Sequence, residues 1–142
     1  MQTEADIFDL IVQGEIPSYK VYEDEDVLAF LDLSQATPGH TLLIPKQHVA
    51  DIYGYDADLA ARVLTKIPVV SRAIRDSDPS IIGLNVLMNN GAPAGQSVFH
   101  SHVHLIPRYE NDGLNLPADV EAHETTPEIY KERAAKIAKQ FN

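Results

Sequence analysis

SVFHSHVHLIPRY, residues 97–109, sets His100, His102 and His104 at every second position in a chain with six histidines among 142 residues. Composition alone gives such a triplet roughly one chance in a hundred. Alternate residues of a β-strand point to the same side. A strand beginning at Ser97 therefore puts Val98, His100, His102, His104 and Ile106 on one face, and Phe99, Val103 and Leu105 on the other. The apolar set anchors the strand to a core. The imidazoles, about 6.5–7 Å apart along the strand, line the opposite surface, a spacing that suits groups acting side by side on one extended ligand.

Three chemistries fit that face. One is a surface strand with ordinary polar alternation. The second is zinc, held by two histidines at i and i+2, with His40 or His48 completing the set and one position open for water. The third is nucleophilic attack on phosphorus by a neutral imidazole, whose ordinary pKa near 6.5 leaves it mostly unprotonated at neutral pH. Its neighbours would then stabilise the anion and protonate the leaving group. The preceding stretch NNGAPAGQSV favours phosphate. Gly91, Gly95 and the turn through Pro93 allow backbone N–H groups to converge on an anion, and Ser97 adds a hydroxyl at the strand entrance.

Working outward, TEADIFDLIVQG reads as a short helix with Thr3 as cap, Asp6 at capping-box spacing, Ile7, Leu10 and Ile11 on one face, and Gly14 at its end. YKVYEDEDVLAFLDL reads as a two-stranded hairpin around an acidic turn, and HTLLIP as a buried strand between Pro38-Gly39 and Pro45. Residues 56–76 carry the longest helical pattern, through Leu59, Val63, Ile67, Val70 and Ile74, with a kink expected at Pro68. GLNVLMN and SVFHSHVHLI add two strands, and a last helix starts at Thr126-Pro127. The expectation is an α+β fold with a five-stranded antiparallel sheet and flanking helices. It forms a single domain over 1–142, with its core at about 4–109 and an acidic loop and helix over 110–142.

The formal charge of −10 argues against general nucleic-acid binding. No apolar run reaches the roughly 18–20 residues of a membrane span. The acidic start MQTEADIFDL lacks the features of a signal peptide, and the absence of cysteine fits a cytoplasmic protein. Acids are unevenly spread: 31 residues between Asp78 and Glu110 and 18 between Asp32 and Asp51 contain none, and these windows hold five of the six histidines. They suit a small anion, and equally suit buried strand.

GQSVFHSHVHLIPRY resembles the signature of the histidine triad (HIT) family, His-φ-His-φ-His-φ-φ with φ apolar, with Ser101 a departure at one φ position. VLAFLDLSQATPGHTLLIPKQHV is similar to the N-terminal half of that family, so the likeness covers roughly residues 4–109. The resemblance implies a homodimer with a sheet continued across two subunits. It also implies a hydrolase acting on a nucleoside 5′-phosphoramidate or dinucleoside polyphosphate at the α-phosphate, without a cofactor. A transferase branch carries Gln at the third histidine, so His104 points to the hydrolase side. The alternative is a non-catalytic nucleotide sensor or interaction module with the same fold. By the same resemblance His102 is the nucleophile that forms a nucleotidyl-histidine, and His104 a phosphate contact. His100 and His40 are an orienting pair behind the nucleophile. Asn89, Gly95, Gln96 and Ser97 face the phosphate and leaving group, Asp32 accepts from the ribose hydroxyls, and Leu33 belongs to the base pocket. The substrate is expected to be a small nucleotide, a purine favoured, although an apolar slot stacks either kind of base.

Many bacterial members that this branch resembles carry C-x-x-C near the N-terminus, completed to a zinc site by two histidines. Here Asp6 and Asp9 stand at the cysteine positions, while His48 and His100 remain. Carboxylates hold zinc with more competition from water than thiolates do. The expectation is that no metal binds, that Asp6 caps the helix and that His48 makes an ordinary polar contact; a weak Asp₂His₂ site is the alternative.

Overall fold

The computed structural model describes residues 5–115 and 125–141. Five strands, β1 (Lys20–Glu23), β2 (Val27–Leu31), β3 (Thr41–Pro45), β4 (Gly83–Met88) and β5 (Val103–Arg108), form one antiparallel sheet in the order β1-β2-β3-β5-β4. The expected α+β class and strand set are both present. Asp24 shapes the first hairpin: its Oδ1 accepts from the backbone N–H groups of Asp26 and Val27 at 2.8 and 2.9 Å. With those bonds and the Tyr22 hydroxyl opposing the effect of burial, the Asp24 carboxyl is held down to about 2.

Strand alternation divides the core into two layers. Val27, Ala29, Leu43, Val103 and Leu105 pack against Leu59, Val63, Val70 and Ile74 from the helices α2 (Ala57–Val63) and α3 (Lys66–Ser77). Leu28, Phe30, Leu42 and Ile44 pack on the other face against Phe8 and Ile11 of α1 (Ile7–Val12). The single helix expected over 56–76 is two helices, broken at Leu64–Thr65 rather than kinked at Pro68. Pro68 lies in the first turn of α3, where its missing N–H is tolerated, and its ring excludes continuation from the Leu64 carbonyl four residues back.

The cap of α1 within the described residues is Asp6. Its Oδ1 accepts from Asp9 N–H at 2.8 Å while Asp9 Oδ2 accepts from Asp6 N–H at 3.0 Å, a reciprocal capping box. Thr3, the cap expected from sequence, lies outside the described residues. The last helix, α4 (Pro127–Ala138), is capped by Thr126 as expected and is exposed along its length.

One strand is shorter than its alternation suggests. β5 starts at Val103, and residues 98–102 form a bend. Ser101 N–H donates to the Val49 carbonyl at 2.7 Å and its hydroxyl meets Tyr55 Oη at 2.9 Å, so this segment hooks onto residues 45–55 instead of pairing in the sheet. Phe99, expected in the core, is therefore 51% exposed, while Ser101 is buried.

Candidate active site

The hook delivers the histidines to the α1 side of the sheet by two routes. In β5, Val103 and Leu105 turn toward α2 and α3, so His104 turns the other way, opposite Leu42 of β3 and Leu87 of β4. His40 stands just before β3. It is held by its carbonyl, which accepts from Asp32 N–H at 2.9 Å and from Gln35 Nε2 at 2.8 Å. His100 and His102 reach the same side from the bend, and both are buried.

Hydrogen bonds fix which ring nitrogens carry protons, because a carbonyl only accepts and a backbone N–H only donates. His102 Nδ1–H donates to the His100 carbonyl at 2.8 Å, leaving a lone pair on Nε2. His40 Nδ1 accepts from Ala36 N–H at 3.2 Å, so its Nε2 carries hydrogen and donates to His104 Nδ1 at 2.9 Å. His104 is thereby left with Nε2–H as its free donor. Burial, together with the nearby His102 and His40 rings, pushes His104 down to about 4, and burial likewise lowers His102. Both rings are neutral at neutral pH. The site offers one nucleophilic nitrogen beside one hydrogen-bond donor.

The expected orienting pair is divided between two tasks. His100 acts on His102 through its main-chain carbonyl, whereas the His40 ring backs His104 and not His102.

His102 and His104 open onto a cleft of about 410 Å³. Phe8, Ile11, Ile16, Phe30 and Leu42 make its apolar wall, and Asp32, Leu33, Ser34 and Ser97 its polar end and mouth. The Phe8 ring stands edge-on to His102 with centroids 5.1 Å apart. Asp32 Oδ1 accepts from Ser34 N–H at 2.8 Å, and Oδ2 lies 3.6 Å from His40 Nε2. Leu33 is 83% exposed at the mouth. From sequence, Ile7, Leu10 and Ile11 stood out only as one face of a helix, and Phe8 lay outside that pattern.

Of the loop residues expected at the phosphate, Ser97 lines the cleft, while Asn89, Gly95 and Gln96 do not. Gln96 is buried. Its Nε2 donates to the carbonyls of Ala50 and Val98 at 2.6 and 3.0 Å, and its Oε1 accepts from Gly91 N–H at 2.8 Å. It braces the loop. Gly95 has φ +99°, in the left-handed region, and a Cβ there would stand 3.4 Å from Asn89 Nδ2.

A second cluster lies behind the triad, at the start of α1. Asp6 performs the expected capping role, and His48 Nδ1 lies 3.2 Å from Asp9 Oδ2 and 3.4 Å from Asp6 Oδ2. His100 Nε2–H donates to the Pro45 carbonyl at 2.8 Å, so its Nδ1 presents a lone pair, 3.2 Å from Asp9 Oδ1 and 3.4 Å from Asp6 Oδ1. That Nδ1 and Asp6 Oδ2 are both buried without a hydrogen-bond partner. Four donors converging with two orphaned buried atoms fit a divalent cation.

Residues 13–111 match the HIT domain family. The protein hit of Bacillus subtilis is 51% identical over 95% of this chain and 93% of its own length. A crystal structure of a HIT family member from Bacillus subtilis superposes with a TM-score of 0.90 at 50% identity, covering 96% of each chain. The adenosine 5′-monophosphoramidase HNT1 of Candida albicans is 32% identical over 96% of this chain and 93% of its own. A zinc-bound histidine triad family protein from Mycobacterium smegmatis gives a TM-score of 0.72 at 37% identity, covering 81% of this chain and 83% of that one.

Proposed function

Because the chain belongs to the HIT domain family, we propose that it is a hydrolase of nucleoside 5′-phosphoramidates or dinucleoside polyphosphates, cleaving at the α-phosphate through a nucleotidyl-histidine on His102. The observation that carries this reading is the tie between His102 Nδ1–H and the His100 carbonyl, which aims an unprotonated Nε2 into the cleft. Support comes from a relative named for phosphoramidase activity.

In this mechanism the base lies against Phe8, Ile11 and Phe30, the ribose hydroxyls donate to Asp32, and His104 Nε2–H holds a phosphoryl oxygen. His102 Nε2 attacks phosphorus, the phosphorus–nitrogen bond to His102 forms, and the bond to the leaving group breaks. The leaving group takes its proton from water at the open mouth. A water molecule then attacks phosphorus and the bond to His102 breaks, releasing the nucleoside monophosphate and the free imidazole. Asp6, Asp9, His48 and His100 would hold a divalent cation behind the triad, where it would supply rigidity. Homodimerisation belongs to the same reading and is supported by the outer edge of β4, where Val86 and Leu87 are exposed.

The direct test is to quench the enzyme at high pH during turnover of an adenosine phosphoramidate and locate the modified residue by mass spectrometry. Adenylate on His102 is the expected result, and turnover with an unmodified His102 would reject the covalent route.

A further inference from the structure

We propose that the cleft selects its ligands by the charge carried on phosphorus, holding a singly charged phosphoryl group and shedding the doubly charged phosphate that the reaction produces, a selection that rests on the function proposed above. The lining offers hydrogen bonds to an anion without offering it a cation. Among the described residues that line the cleft none is Lys or Arg, and the one carboxylate is Asp32. The bases that follow the lining segments in sequence are engaged elsewhere. Lys20 Nζ lies 3.0 Å from Glu23 Oε1, Lys46 Nζ lies 2.8 Å from Glu23 Oε2, and Arg108 Nε donates to Asp112 Oδ2 at 2.8 Å.

The histidines do not supply the missing charge. His40 Nδ1 accepts from Ala36 N–H, and His40 Nε2–H donates to His104 Nδ1. A second proton on either ring would set hydrogen against hydrogen, so this relay is held neutral by its own bonds. Burial and the neighbouring rings, which push His104 down to about 4, act in the same direction. The groups facing His104 are His40, His102 and Asp32, and a carboxylate oxygen of Asp32 lies within 4.8 Å of ring nitrogens of both His40 and His104. Asp6 and Asp9 stand behind His100, outside the lining.

Substrate and product differ in the charge they bring to this site. An α-phosphate joined to both ribose and a leaving group has one ionisable oxygen and carries one negative charge. Hydrolysis of the nucleotidyl-histidine adds an O–H from water to phosphorus, returns the imidazole to its neutral form and releases the other water proton. The new O–H ionises with a pKa near 6, so at neutral pH the product carries two charges. A single charge is served by hydrogen-bond donors, which His104 Nε2–H and the Ser97 hydroxyl supply. The second charge meets no cation, forfeits hydration and is repelled by Asp32. At effective dielectric constants between about 20 and 80, a further like charge several ångströms from Asp32 weakens binding by roughly threefold to fiftyfold. The net charge of −10 on the chain adds to that repulsion. Ionisation of the product therefore drives its release.

The test is calorimetry on the full-length protein with AMP and with adenosine 5′-methylphosphonate, in which a methyl group replaces one phosphoryl oxygen and a single charge is kept throughout the range. At pH 7.5 about one AMP molecule in thirty is singly charged, against about three in four at pH 5.5. The methylphosphonate should bind at least about fivefold more tightly than AMP at pH 7.5. Acidification to pH 5.5 should tighten AMP by at least about fivefold and leave the methylphosphonate within about twofold, which controls for titration of the protein. Asp32→Asn weakens both ligands at the ribose, but the ratio of their Kd values at pH 7.5 should fall at least about twofold. AMP that binds as tightly as the methylphosphonate at pH 7.5, or two ligands that tighten together on acidification, overturns the charge selection. An unchanged ratio in Asp32→Asn overturns the part given to that carboxylate. If neither ligand binds, the nucleotide reading fails and this selection falls with it.

Discussion

His102 Nδ1 lies 2.8 Å from the main-chain oxygen of His100, two residues before it. The group that orients the proposed nucleophile is thus part of the peptide chain and not a carboxylate. It holds one tautomer without adding charge beside the attacking nitrogen. In the proposed mechanism, ground-state binding of a nucleotide depends on the apolar wall and Asp32, whereas the Nε2 lone pair matters only in the transition state. His102→Ala is accordingly expected to abolish turnover while leaving the Kd for nucleoside monophosphate within about tenfold, or roughly 1.4 kcal/mol. Steady-state kinetics and calorimetry on one preparation check both halves, and retained turnover would exclude His102 as nucleophile.

His104 and His40 form a hierarchy that kinetics can resolve. His104 Nε2–H is the donor that the proposed mechanism turns toward the phosphoryl oxygens, and His40 fixes its tautomer from behind at 2.9 Å. Loss of a donor to a developing oxyanion typically costs about 10²–10³ in kcat. His104→Ala should fall in that range. His40→Ala, which acts through His104, should cost less, about tenfold, with little change in KM. A larger loss from His40 than from His104 would reverse the assignment.

Stability should fall on mild acidification because of His104. Its folded value is pushed down to about 4, against an ordinary 6.5, chiefly by burial. The unfolded chain therefore takes up a proton in a window where the folded chain does not, and stability is lost as pH drops from about 6.5 toward 4. Asp24, held to about 2, contributes in the same direction only below its ordinary value of 3.8. Urea midpoints at pH 7.5, 6 and 5 should decline for the wild type and decline less steeply for His104→Gln. Equal slopes would remove His104 as a source of the loss.

Buried Ser101 and half-buried Tyr55 supply a further prediction. Their hydroxyls meet at 2.9 Å and fasten the bend that precedes β5. Tyr55→Phe leaves the Ser101 hydroxyl buried without this partner and should destabilise by about 1–2 kcal/mol. Tyr55→Phe combined with Ser101→Ala should recover part of that, because no orphaned group remains. Additive losses in urea unfolding would show that the two hydroxyls are energetically independent.

Where local pattern and partner coincided, the sequence was readable. Alternation and apolar runs located all five strands, and the hairpin turn, the Thr126 cap of α4 and the family signature followed from side-chain chemistry. The triad strand shows why the rest was hidden. His-x-His-x-His continues the alternation of β5 without interruption, but Ser101 N–H bonds to Val49, fifty-two positions back in the chain, and the ladder ends at Val103. Nothing local distinguishes a histidine in a strand from one in a hook. The cleft wall was obscured for a related reason: Phe8 and Ile11 are buried against Phe30 and Leu42 like any core residues, and only the fold shows that this layer opens beside His102. Gln96 had the opposite fate, a polar side chain expected at the ligand that the fold uses to brace a loop.

The last prediction concerns assembly. β4 forms one edge of the sheet, with its outer backbone groups outside the sheet's ladder. Exposed edges invite pairing, and proteins that avoid it place charge or proline there. β4 has neither: its sequence is GLNVLM. Its register sets Val86 beside Leu105, on the α3 side, and Leu87 beside His104, on the α1 side, so apolar side chains stand on both faces of this edge. Val86 is 51% exposed and Leu87 39%. A second copy laid antiparallel along β4 would pair the edge and cover both residues, continuing the sheet as the family resemblance implies. Light scattering at micromolar concentration should therefore return twice the 15.7 kDa chain mass, about 31 kDa. Val86→Lys places a charge at the edge without touching His102, His104 or Asp32 and should shift the mass toward about 16 kDa. A wild-type protein that scatters as a single chain would show that this edge stays unpaired.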